Sequence, residues 1–116
     1  MSKREEILQT ELDVLRAMCT GTPEGTVWDK GMLLLDSYQF QEMTHQVLFE
    51  VLQEINTDLP DIIRKQLPAR LTKKGFPALD YEQFLIPHSL SEAEAVARMQ
   101  KLAEGGPGRR PDAALR

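Results

Sequence analysis

Between Glu42 and Ile55 the chain carries an apolar pattern too wide for a helix with a single neighbour. At about 100° per residue, Met43, Val47, Leu48, Val51, Leu52 and Ile55 fill about half of the circumference. Gln46, Glu50, Gln53 and Glu54 fill most of the rest. His45 and Phe49 stand four apart on the shoulder of this arc, one turn above the other and next to Leu52. Tyr38 and Phe40 lead into the helix as an aromatic pair. An arc of this width has to touch more than one element, which predicts a small helical domain. No residue within it announces a reaction.

A first helix is predicted from about Arg4 to Cys19, ended by Gly21. Leu8, Leu12, Leu15 and Cys19 form one stripe on it, and Ile7, Val14 and Met18 form a second. Two stripes imply two contact surfaces: two partner helices in one monomer, or a core plus a subunit interface. Ile7, Leu8, Leu12, Leu15, Val14 and Met18 are therefore the candidate interface. Glu11 lies between the stripes and is expected to reach solvent along the seam.

Further along, Thr22-Pro23 offers a start for the next element, and Val27 to Leu35 reads as a short helix softened by Gly31. Trp28 is its core anchor, with an indole N–H that should find a partner. Asn56-Thr57-Asp58 closes the main helix, and Asp58 is placed to cap the next one with Pro60 in its first turn. Pro68 lies among Ile62, Ile63, Leu67 and Leu71, and predicts two short helices or a kink at Leu67. Gly75-Phe76-Pro77 is a stop with an apolar anchor. Asp80 is placed to cap a short helix through Phe84 and Leu85.

Ser91 and Glu94 match a capping box, opening a helix to about Ala103 with Ala95, Met99 and Leu102 on a thin apolar face. That face predicts a peripheral helix. No strand alternation and no internal repeat occurs. The expected architecture is an all-α, compact bundle of about five to six helices over residues 1–104. Residues 105–116 are expected to be a disordered Gly/Pro/Arg tail.

The net charge of −4 hides an uneven distribution: residues 1–60 sum to −7 and residues 61–116 to +3. Arg64, Lys65, Arg70, Lys73 and Lys74 follow one another with no acidic residue between them. They read as a patch for nucleic acid or an acidic partner, as a solvated face near a helix C-terminus, or as a complement to the acidic first half. The acidic balance of the whole chain favours the last two. No run approaches the roughly 18–20 apolar residues that span a bilayer. The first residues resemble neither a signal nor a transit peptide. One cysteine, Cys19, makes no internal disulfide, and a cytoplasmic location follows by default.

The usual constellations of catalysis are missing from the sequence. Cys19, His45 and His88 lie far apart with no paired ligand spacing, so no metal site is expected. A Cys–His catalytic pair would need Cys19 to leave an apolar stripe, where a free cysteine is usually an inert small hydrophobe. His45 reads as a packed, hydrogen-bonded side chain rather than a base. Neither glycine cluster precedes the lysine and helix of a phosphate loop. No catalytic residue and no cofactor are expected.

From Glu11 to Ile55 the order of features resembles the N-terminal helical domain of bacterial replicative DNA helicases of the DnaB type. Glu11-Leu12-Asp13-Val14-Leu15 matches a Glu-x-x-Val-Leu segment of that family, and Ser37-Tyr38-Gln39-Phe40 its aromatic lead-in. His45-Gln46-Val47-Leu48-Phe49 matches its His-x-x-[Ile/Leu]-Phe helix. The likeness covers roughly residues 8 to 55. Leu71-Thr72-Lys73-Lys74-Gly75-Phe76-Pro77 has no counterpart, and the motor domain is absent, so helicase activity does not carry over. In that family the domain forms a collar and contacts the primase. The resemblance thus implies helix-mediated self-association or docking onto another protein, with a tentative link to replication. Trp28 and Phe40 are expected to define the fold, and His45 and Phe49 to be packing residues. The leading expectation is a non-enzymatic interaction module that docks on a protein partner, a second copy giving a homo-oligomer or another protein, with no membrane partner. The alternative is a nucleic-acid accessory protein using Arg64–Lys74 with Arg109, Arg110 and Arg116.

Overall fold

One long helix, α1 (Lys3–Thr20), runs through the middle of the molecule, and every other helix lies against it. The computed structural model describes residues 3–86 and 90–105. Within them α1 is followed by α2 (Trp28–Leu34), α3 (Met43–Ile55), α4 (Pro60–Lys73), a 3-10 turn at Tyr81–Phe84, and α5 (Glu92–Gly105). The fold is all-α with five helices; the described residues contain no strand, only an isolated bridge between Thr22 and Gly25. Of the expected tail 105–116, Gly105 is the last residue of α5, while residues 106–116, like His88, lie outside the described residues.

The two stripes of α1 resolve into several neighbours within one molecule. Val14, Leu15, Ala17 and Met18 are fully buried, and Cys19 nearly so. As members of an interface, Val14, Leu15 and Met18 are therefore corrected: α2, α3, α4 and α5 already cover them. Ile7, Leu8 and Leu12 are only partly buried, Ile7 and Leu12 packing against the edge of the core.

α2 packs unusually close. Gly31 is buried, and a Cβ there would sit on Met18 Sδ and Cε. The glycine that reads as a softener of the helix is instead the residue that lets α2 approach α1. Leu33 points outward, 79% exposed. Trp28 is half-buried rather than a central anchor, and its buried indole Nε1 has no hydrogen-bond partner among the described residues.

α3 buries Val47, Leu48, Phe49, Val51, Leu52 and Ile55 as its wide arc predicts. Met43 is the exception at 67% exposed, since the first turn of α3 emerges at the surface. Phe40 stacks against Tyr38 at 4.9 Å edge-on and against Phe49 at 5.2 Å. Asn56 ends the helix in the left-handed region, φ 53°, its N–H donating to the Leu52 carbonyl.

α4 starts at Pro60 with Leu59 in the capping position and no side-chain cap, so Asp58 does not take the expected role. The Leu59 N–H instead donates to Thr57 Oγ1 at 3.3 Å. Nor does Pro68 divide the helix. Ile63, Leu67 and Leu71 are buried in the core on both sides of it, and that packing carries α4 through one missing hydrogen bond. The Arg64 carbonyl that loses this partner belongs to an exposed residue. At the far end, Gly75 sits at φ +93°, its N–H donating to Thr72 O and that of Phe76 to Leu71 O. This is a complete Schellman ending, which demands glycine and turns Phe76 back onto the core.

The 3-10 turn is tied to α1 by Arg16, whose Nε donates to the Gln83 carbonyl at 2.7 Å. It drives Phe84 fully into the core. Asp80 precedes it without capping it by its side chain. The Ser91–Glu94 capping box is present, with Glu94 N–H donating to Ser91 Oγ at 3.1 Å and Ser91 N–H to Glu94 Oε1 at 2.9 Å. α5 is not peripheral: Ala95 and Met99 are fully buried, with Leu102 close behind, against α1 and α2.

Candidate functional site

The largest departure from the sequence reading is Glu11. Its carboxylate is fully buried, not turned to solvent. Oε2 accepts from Tyr38 Oη at 2.6 Å and from the Gln41 N–H at 2.7 Å. Oε1 faces His45 Nδ1 at 2.8 Å and accepts a longer bond from the Glu42 N–H at 3.4 Å. Backbone amides only donate, so each oxygen accepts from the chain, and His45 Nδ1 lies within hydrogen-bond distance of Oε1.

Each partner arrives by a local cause. Tyr38 is held by its edge-on contact with Phe40, and Phe40 by an N–H bond to Gln46 Oε1 at 3.0 Å. His45 packs edge-on against Phe84 at 5.8 Å, on the 3-10 turn that Arg16 pins. α3 has no side-chain cap of its own. Glu11 places a carboxylate at that end from another helix, where the helix dipole favours negative charge. The Tyr38 phenol is pushed well above its usual range, first by burial and then by the Glu11 hydrogen bond and charge. Four contacts on two oxygens make this a clamp joining α1, the 38–42 connection and α3.

Above the clamp lies a surface groove of about 320 Å³. Leu8 and Leu12 of α1 give it an apolar wall, Glu5 and Glu42 are its acidic groups, and Thr44 and His45 line its α3 side. Among the described residues no lysine or arginine lines it. Gln9, on its edge, donates to Asp13 Oδ1 at 3.0 Å, and Asp13 Oδ2 takes Arg98 of α5 at 3.3 Å.

The remaining candidates fall elsewhere. Cys19 lines a second groove of about 410 Å³ with Pro23, Pro60, Arg64 and Leu85. Burial pushes its thiol up to about 12, which keeps it protonated and inert. It lies eight residues along α1 from Glu11, about 12 Å, so the helix does not bring it to His45. Among the described residues no group of His, Cys, Asp and Glu is arranged to hold a metal ion, and no helix is long and apolar enough to cross a membrane.

The five cations of the basic segment do not act together. Arg64, Lys65 and Lys73 are exposed. Lys74 instead reaches back to Glu54 at 2.7 Å and Glu50 at 3.5 Å, and Arg70 lies 3.8 Å from Glu54. The bond to Glu54 holds the Lys74 ammonium above its ordinary value. Part of the basic run thus complements the acidic face of α3.

The clamp escaped sequence reasoning because its members are 27 to 34 residues apart. Two signals pointed to it: a glutamate in the middle of an apolar arc, and a strongly patterned helix with no capping residue. Compared with protein-family models, with curated proteins and with solved structures, the chain finds no match in any of the three.

Proposed function

We propose that this chain is a non-enzymatic helical interaction module that associates with a second copy through the first turns of α1. The observation that carries the reading is the divided fate of the two apolar stripes of α1. Val14, Leu15 and Met18 are consumed by the core, whereas Ile7, Leu8 and Leu12 stay only partly buried, with Leu8 and Leu12 on the wall of a groove. Two copies packed along this stretch would remove apolar area from water at about 25 cal/mol per Å². The buried clamp supports the same reading: its acceptors are spent on holding three segments together rather than offered to a substrate.

The resemblance of residues 8–55 to the DnaB-type collar domain points in the same direction and extends the proposal to replication. A free, buried Cys19 suits a reducing compartment, the cytoplasm. The alternative use of Arg64–Lys74 on nucleic acid is weakened by the loss of Arg70 and Lys74 to α3.

Light scattering behind a sizing column tests self-association across a concentration series. The proposal expects a mass that rises from monomer toward dimer in the micromolar range. A monomer at every concentration removes it.

A further inference from the structure

We infer that the second copy crosses α1 antiparallel, Leu8 on Leu8, so that Arg4 of each copy enters the groove of the other; this rests on the self-association proposed above. The charges along one ridge of α1 select this arrangement.

Arg4, Leu8 and Leu12 stand four apart and form a single ridge at the start of α1. The ridge then runs into Leu15, which is fully buried, so the part left for a second copy is a cation followed by two leucines. Arg4 is exposed, and its hydrogen bond to Gln41 Oε1 is long, at 3.4 Å.

Three pairings of this ridge with its own copy keep leucine on leucine. A parallel pairing sets Leu8 on Leu8 and Leu12 on Leu12, and with them Arg4 on Arg4; it also lays two helix dipoles side by side in the same direction. An antiparallel pairing of Leu8 with Leu12 opposes Arg4 to Arg16. The 3-10 turn already lies against Arg16, its Gln83 carbonyl taking Arg16 Nε at 2.7 Å. The antiparallel crossing on Leu8 sets no arginine against an arginine. It lays the stem of Arg4 over Leu12 of the second copy, and two-fold symmetry repeats the contact in the other direction.

Leu12 is a wall of the groove, so a guanidinium carried past it meets the groove's polar lining. Glu5 on that lining already has an interaction of its own. Glu42 is the acid that remains. It is partly buried, and among the described residues its carboxylate takes only the Thr44 hydroxyl, at 3.3 Å. Among the described residues no lysine or arginine of the same copy lines the groove to compete for it. The planar fork of an arginine fits such a carboxylate through two N–H donors at once.

The test uses the full chain, in which Cys19 is buried, held as the thiol and inert to oxidation at neutral pH. Under mild thiol oxidation Leu8→Cys should become a covalent dimer. Arg4→Cys and Leu12→Cys should each stay single when oxidised alone and should join when the two are mixed. In sedimentation equilibrium, Arg4→Glu and Glu42→Lys should each weaken association by about ten-fold or more, and the double variant R4E/E42K should recover most of that loss. The crosslinks decide the orientation even if Glu42→Lys fails to fold.

Arg4→Cys joining to itself would make the pairing parallel. Leu8→Cys that joins Leu12→Cys but not itself would shift the register. A folded double variant as weak as its parents would place Arg4 on some other group. Each of these overturns the inference and leaves self-association standing, whereas a wild-type chain that stays monomeric at every concentration sinks the self-association and this arrangement with it.

Discussion

The two halves of α1 carry the same apolar spacing and meet opposite ends. From Glu11 to Thr20 the inward face of the helix is enclosed, Leu12 at its edge excepted: Val14, Leu15, Ala17 and Met18 have no exposure, and even a carboxylate is sealed in. From Lys3 to Thr10 the same periodicity continues, but Ile7 and Leu8 remain half-open and the charged positions face water. Periodicity sets which side of a helix is apolar; the number of elements that arrive to cover it decides whether that side becomes core or surface. In the covered half a polar group survives only by being fully satisfied, as Glu11 is.

The difference is sharpest for Glu11→Ala, which leaves Tyr38, His45 and two backbone amides facing each other without an acceptor. Loss of stability should reach about 3–5 kcal/mol, read from urea unfolding. Leu15→Ala, and Leu48→Ala across from it, should each cost about 2–5 kcal/mol, whereas Leu8→Ala should cost less than about 1 kcal/mol. Equal losses at Leu15 and Leu8 would erase the distinction between the halves.

Gly31→Ala probes the enclosed half from its partner. A methyl placed on Met18 Sδ and Cε forces that buried side chain to move and should cost about 1–3 kcal/mol in thermal unfolding. A neutral outcome would mean that α2 is not held as closely as Gly31 implies.

The smallest effect concerns pH. Cys19 titrates at about 12 in the fold against an ordinary value of 9.0, so above 9.0 the unfolded chain releases a proton that the fold retains. Stability from this group is intact below 9.0 and drains away as pH rises toward 12. Cys19→Ala should flatten that alkaline slope, with the Tyr38 phenol supplying what remains. An unchanged slope would show that Cys19 is not enclosed.

Much of this architecture was legible in the sequence, and the failures have a common cause. The arc of α3, the Gly75 ending and the Ser91–Glu94 box are local patterns, each contained within a few turns. Gly31, Pro68 and Glu11 were misread because their meaning lies in elements distant along the chain: Met18 behind the glycine, a continuous core beneath the proline, and α3 above the glutamate. The candidate interface divided in the same way. Ile7, Leu8 and Leu12 reach the surface, while Leu15, Val14 and Met18 answer to the core. Of the basic run, no pattern within residues 64–74 revealed that Lys74 turns back to Glu54.

Sedimentation equilibrium of the wild-type chain beside Leu8→Glu tests the division of α1 most directly. The wild-type chain should show a concentration-dependent mass between monomer and dimer. Leu8→Glu should remain a monomer with unchanged helical content and a midpoint of unfolding within a few degrees of the parent. A Leu8→Glu chain that dimerises as well as its parent, or unfolds as a Leu15 variant does, would contradict the account.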